Sequence, residues 1–159
     1  QIFIEKYFTF TWQHWFKLQI PFLVRHRTFF GDLETWHIWG SIGISHYHDY
    51  AQSMKNNIIE IPNNNEDMYL NLLKFVPKNG INASSISEIS SIPRATVIRK
   101  LKHLVKNKLV KKNKKLEYSF FKSSKNLQSF KENYLENQKH ISVFVTTMFD
   151  LMKNSKFKI

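Results

Sequence analysis

The chain has 159 residues and a mass of 19.1 kDa, long enough for one compact domain with flanking helices and too short for two domains of ordinary size. It has no cysteine, which excludes a disulfide framework and cysteine-ligated zinc or iron–sulfur centres, and its 42% hydrophobic and 15% aromatic content excludes a disordered polar chain. The formal net charge of +12 is unevenly placed: residues 1–93 hold 7 Lys/Arg against 8 Asp/Glu, residues 94–125 hold 12 against 1, and residues 126–159 hold 5 against 3.

Fourteen of the 24 aromatic residues and all four tryptophans fall in the first 50 positions, a density that demands burial. Ile4, Phe8, Trp12, Trp15 and Phe16 recur at steps of three and four and predict a helix over about 4–18. Pro21 and Gly31 punctuate the chain after it, and Asp32 is placed to cap a second helix over about 33–54, which Gly40 and Gly43 weaken by about 1 kcal/mol each. The longest apolar run, Ile20 to Val24, falls far short of the roughly 20 residues of a bilayer span, so no membrane segment is expected. Glu5, Trp12, His14 and Trp15 do not form the basic-then-apolar layout of a secretory leader, and the expected location is the cytoplasm.

Five asparagines between Asn56 and Asn65, together with Pro62, read as a connector over 56–65. Met68, Leu72, Leu73, Phe75 and Val76 then predict a short amphipathic helix that Pro77 and Gly80 stop. Ser85-Ile-Ser-Glu88 matches a capping box and places a helix start at Ile86. Ser90-Ser-Ile-Pro93 ends that helix, and Pro93 suits an early position of the next, over about 93–107. Leu109-Val110 and Leu116 to Phe121 are β-prone runs around Lys111-Lys-Asn-Lys-Lys115, with Asn113 at the tip of a hairpin. From Asn126 to Lys153, Leu127, Phe130, Tyr134, Ile141, Val145, Met148 and Met152 form a heptad-like seam on one long helix. Its length favours pairing with a second copy through Phe130, Tyr134, Ile141, Val145, Met148 and Met152.

On a 100° wheel the 93–107 helix gathers Val97, Ile98, Leu101, Leu104 and Val105 on one side. The opposite side presents Thr96, Arg99, His103 and Lys106, with Lys100 and Lys102 at its margins and Arg94 at its start. Such a face fits a major groove, where Arg94, Thr96, Arg99 and His103 are the candidates for base edges. Ser85, Lys100, Lys102, Lys106, Lys111, Lys112, Lys114 and Lys115 are the candidates for phosphates.

The stretch from Ile86 to Val110, with Thr96, Arg99 and the closing Leu109-Val110, resembles winged helix-turn-helix transcriptional regulators, MarR-like ones among them. It departs from their pattern at Ser91 and Lys108, where glycine is common, and at the hairpin tip, which has no glycine. The resemblance implies a mainly α fold with a small β-hairpin wing. The resemblance covers residues 66–121, and with the elements above it the expected organisation is an aromatic-rich helical dimerisation and possible effector region over 1–55, the connector over 56–65, a winged helix-turn-helix DNA-binding domain over 66–122 and a long dimerisation helix over 123–159. The implied function is a homodimer that binds double-stranded DNA and regulates transcription, with no enzymatic activity and no cofactor. The alternatives are a nucleic-acid accessory factor of replication, phage or RNA, and a winged-helix adaptor between proteins.

Two other constellations stand out. His46 and His48 invite a metal site, but two residues apart on a helix they diverge by about 200°, so packed histidines and no metal are expected. Trp12, Trp36 and Trp39 are candidates to line a pocket for a small apolar effector. No nucleophile elbow or glycine-rich phosphate loop occurs among the four glycines.

Overall fold

The computed structural model describes residues 2–56, 71–72, 75, 80–121 and 124–154. It is mainly helical, with one small antiparallel sheet. The predicted connector lies outside the described residues except for Asn56, and of the helix predicted through Met68, Leu72, Leu73, Phe75 and Val76 only Asn71, Leu72 and Phe75 are described. Among the described residues no helix is long and apolar enough to cross a membrane.

Two helices, α1 (Ile2–Lys6) and α2 (Phe8–Phe30), open the chain. The predicted stop after Leu18 is wrong, because α2 carries Pro21 inside it and runs on for more than two further turns. An interior proline costs about 3 kcal/mol. The residues beyond it explain why the helix continues. Phe22, His26 and Phe30 sit at four-residue steps and meet α3 (Leu33–Lys55): Phe22 and His26 lie 5.5 and 4.9 Å from the Trp36 ring, and Phe30 lies 5.2 Å from Trp39. Any other backbone at Pro21 would break that register, and each aromatic pair adds about 0.5–1.5 kcal/mol beyond the area it buries.

Gly31, at φ 84°, closes α2, and Asp32 caps α3 as predicted, its Oδ1 accepting from the Thr35 N–H at 2.7 Å. Gly43 lies in the middle of α3 for a steric reason, since a Cβ there would meet the Phe120 ring at 3.1 Å.

Beyond the connector come β1 (Ile81–Asn82), α4 (Ala83–Ser90), α5 (Arg94–Lys106), β2 (Val110–Lys112) and β3 (Glu117–Phe120). The strands form one antiparallel sheet in the order β1-β3-β2, with Ile81 opposite Tyr118 and Val110 opposite Phe120. Gly80 lies so close to β3 that a Cβ would meet the Glu117 Cβ at 2.8 Å. Leu101, Leu104 and Val97 on α5 are fully buried with Ile86 of α4 and Ile38 and Ile42 of α3, and Tyr118 and Phe120 close the core from the sheet. Val105, expected on this buried side, is 36% exposed instead, and Ile98 is half-buried.

The capping box at Ser85 does not form. Asn82 caps α4 by accepting from the Ser84 and Ser85 N–H groups at 2.9 and 3.0 Å, so the helix starts one turn earlier and Ser85 lies inside it. Pro93 is the N-cap of α5 and not its first helical residue, and its carbonyl accepts from the Val97 N–H at 3.0 Å.

The last helix, α6 (Ser124–Asn154), has 31 residues, about 45 Å at 1.5 Å per residue, and lies along α2. Its first half belongs to the protomer's own core. Phe130 packs 4.8 Å from Phe29 and 5.4 Å from Trp39, and the Arg25 guanidinium donates twice to Asn137 Oδ1. Trp39 is thereby stacked between Phe120 of the sheet at 4.5 Å and Phe130 of α6, with interplanar angles of 19° and 18°.

Candidate nucleic-acid interface

Anchored by Val97, Leu101 and Leu104, α5 turns Arg94, Arg99, Lys102, His103 and Lys106 to solvent, with Thr96 half-buried between them. The hairpin beside it exposes Lys111, Lys112, Lys114 and Lys115. Among the described residues, Arg99, Lys102, Lys106, Lys111, Lys114 and Lys115 are in no ion pair. Lys112 reaches back over the Tyr118 ring at 5.9 Å. Lys108, not among the predicted phosphate contacts, adds one more exposed cation between helix and hairpin. Its place inside the basic segment was the signal for it.

Four of the predicted contact residues are engaged within the chain. Lys100 is the clearest correction: its ammonium pairs with Asp32 and lies 3.9 Å from Glu34, leaving 12% of the side chain exposed. One position past Arg99, it falls on the flank of α5 that faces the start of α3, and it ties the two helices together instead of meeting phosphate. Arg94 donates from Nε to Ser84 Oγ at 3.1 Å and so links the first turns of α4 and α5. The Asn107 side-chain amide lies 2.9 Å from His103 Nε2, so the ring is held by its own helix. Ser85 is half-buried, with its backbone N–H already used by Asn82.

Burial pushes the Asp32 carboxyl up, but the Lys100 ammonium and the Thr35 N–H and hydroxyl outweigh it and hold the group below its ordinary 3.8. The resulting stabilisation is in place above pH 3.8 and is lost as pH falls through the lowered value. Asp32→Ala is expected to cost about 1 kcal/mol in thermal melts through loss of the cap, and to flatten the fall of melting temperature with pH below that point.

The backbone around this face keeps three left-handed residues. Ser91, Lys108 and Leu116 have φ of 55°, 55° and 63°. These are the two positions where the resembling pattern has glycine and one at the glycine-free hairpin tip. At Ser91 the turn is pinned by the Ser87 hydroxyl, which donates to the Ile92 carbonyl at 2.7 Å, and by the Ser90 hydroxyl, which accepts from the Ile92 N–H at 3.3 Å. At Lys108 the Lys108 N–H donates to the Val105 carbonyl and the Leu109 N–H to the Leu104 carbonyl, both at 3.0 Å, a Schellman closure over two buried leucines. At the hairpin, Leu116 donates from its N–H to the Asn113 carbonyl at 3.1 Å and follows the turn in a G1-bulge position.

The remaining sequence candidates separate. Trp12 is 41% exposed on α2 beside Phe8 and Phe16, while Trp36 and Trp39 pack into the α2–α3–α6 core. The effector pocket is therefore not formed by these three. A small cleft beside Trp39, also lined by His26, Tyr47 and Tyr134, has a volume of about 80 Å³. His46 is 3% exposed, its Nε2 donating to the Leu72 carbonyl at 2.8 Å between the rings of Phe75 and Phe120, whereas His48 is exposed. The seam on α6 also splits. Phe130 and Tyr134 are half-buried and pack within the protomer, Tyr134 accepting from Gln138 at 2.7 Å. Ile141 and Val145 are 45% and 41% exposed, and Met148 and Met152 are half-buried. Comparison with protein-family models, curated proteins and solved structures returns no match to this chain.

Proposed function

We propose that the chain is a homodimeric regulator of transcription that binds double-stranded DNA, with residues 81–120 forming a winged helix-turn-helix. In this reading α5 lies in the major groove, with Arg99 and Thr96 at base edges, and the β2–β3 hairpin is the wing, resting on the minor groove or the backbone. The observation that carries the reading is the continuity of cations in no ion pair among the described residues, from Arg99, Lys102 and Lys106 on the outer face of α5 onto Lys111, Lys114 and Lys115 of the hairpin. The one lysine of α5 that is ion-paired, Lys100, is the one on the opposite flank. Strand order β1-β3-β2 around a paired α4 and α5 supports the wing assignment.

The second copy is supported by apolar surface that this protomer leaves uncovered. Phe8, Trp12, Phe16, Ile20 and Val24 run along α2 at four-residue steps with 41–58% exposure, and Ile141, Val145 and Phe149 follow the same step on α6 with 41–64% exposure. Monomeric soluble proteins rarely leave contiguous stripes of this kind in water. A two-fold pair would place two copies of α5 about 34 Å apart, one turn of duplex.

The test is fluorescence anisotropy of a labelled duplex titrated with the protein at several salt concentrations, followed by selection of bound oligonucleotides. With five or more phosphate contacts per protomer, affinity is expected to fall about 10³-fold or more between 50 and 200 mM salt, and the selected sites to be near-palindromic. Flat salt dependence, or stronger binding to a matched RNA duplex, would refute the reading.

A further inference from the structure

The hairpin tip ends on a residue that its local chemistry does not favour. Leu116 occupies the left-handed position after the turn, where glycine or asparagine fits without strain, and its side chain is 61% exposed. Its neighbours in β3 do not share that exposure: Tyr118 and Phe120 turn inward to the core at 7% each. Leu116 therefore contributes nothing to packing in return for the strain.

The turn that holds it is rigid. Asn113 donates from its N–H to the Glu117 carbonyl at 2.9 Å, accepts on Oδ1 from the Glu117 N–H at 2.9 Å, and donates from Nδ2 to Glu117 Oε2 at 2.8 Å. The last of these bonds also occupies the one carboxylate of the hairpin. Lys114 and Lys115 stand next to Leu116 in the same turn, exposed and without ion pairs among the described residues. An apolar side chain held in a strained conformation, on a stiff projection flanked by cations, matches the wedge by which minor-groove proteins part a base step.

We infer that Leu116 is a minor-groove wedge: it inserts between two base pairs while Lys114 and Lys115 hold the phosphates on either side, and so kinks the duplex. This inference rests on the DNA-binding reading above and adds to it a selectivity that Arg99 does not supply. Pyrimidine–purine steps such as TA and CA unstack most easily, so one such step is expected under the wing of each protomer even where no side chain reads its edges.

The experiment uses the full chain and a duplex enriched by it from a random pool, with donor and acceptor dyes at the two ends to report the bend. The parent is expected to bend the duplex by at least about 20°. Leu116→Asn keeps the left-handed backbone and every lysine. It is expected to reduce the bend to a few degrees and affinity about tenfold, with the salt slope unchanged and the melting temperature equal or higher. Leu116→Met, apolar and flexible, restores most of the bend. If Leu116→Asn binds and bends as the parent does, the wedge is wrong and DNA binding stands. If the parent binds no duplex, both readings fall together.

Discussion

Arg99→Ala is expected to lower affinity for the selected duplex by about 5- to 150-fold while leaving binding to unrelated duplex within about twofold. The factor corresponds to the roughly 1–3 kcal/mol of discrimination that a two-pronged arginine–guanine contact supplies. Position is the reason for singling out Arg99. Its guanidinium is exposed, no carboxylate among the described residues pairs with it, and Thr96 and His103 flank it one turn to either side on the same face of α5. The buried Val97 and Leu101 fix that face relative to the rest of the domain. Lys114→Ala provides the contrast. It is expected to weaken all sequences alike and to make the salt slope shallower by about one per protomer, as loss of one phosphate contact does. Competition gel shifts with selected and scrambled duplexes measure both, and the reverse pattern would overturn the assignment of roles.

The second large effect concerns stability. Replacing Ser91, Lys108 and Leu116 together with glycine is expected to raise the melting temperature by about 4–8 °C. Each residue has φ near 60°, where a side chain costs about 1–2 kcal/mol that glycine does not. Glycine regains freedom in the unfolded chain and cancels part of the difference, leaving about 0.5–1 kcal/mol per site and about 2 kcal/mol in all. For a chain of this length that is worth roughly 2–4 °C per kcal/mol. Differential scanning calorimetry of the triple variant decides it. An unchanged melting temperature would mean that the local hydrogen bonds at Ser87, Ser90 and Asn113 already absorb the strain.

These three positions also show how far the sequence could be read. The absence of glycine at Ser91, Lys108 and the hairpin tip raised the question whether the turns would keep their shape. They do, because the bonds that define each turn are made by neighbours whose identity is unaffected. Patterns of burial carried well: Asp32 capped α3, and Val97, Leu101 and Leu104 faced inward. What failed were competitions between local and tertiary preference. Pro21 looked like a terminator, yet the aromatic ladder of Phe22, His26 and Phe30 lies beyond it and outweighs one missing hydrogen bond. Ser85 looked like a cap, but Asn82, an equally good cap residue three positions earlier, takes two N–H groups at once, including that of Ser85. Strand β1 is two residues long and leaves no periodicity to detect. The heptad seam of α6 did not distinguish residues packed inside the protomer from residues left outside, because both obey the same spacing.

Trp39, pressed between Phe120 and Phe130, has one more effect. The pile of three rings couples the sheet directly to the long helix, so in the proposed dimer the hairpin and α6 of each protomer are expected to move together. A duplex with one extra base pair between its half-sites turns the far half by about 35°, and a dimer coupled in this way is expected to bind it more weakly.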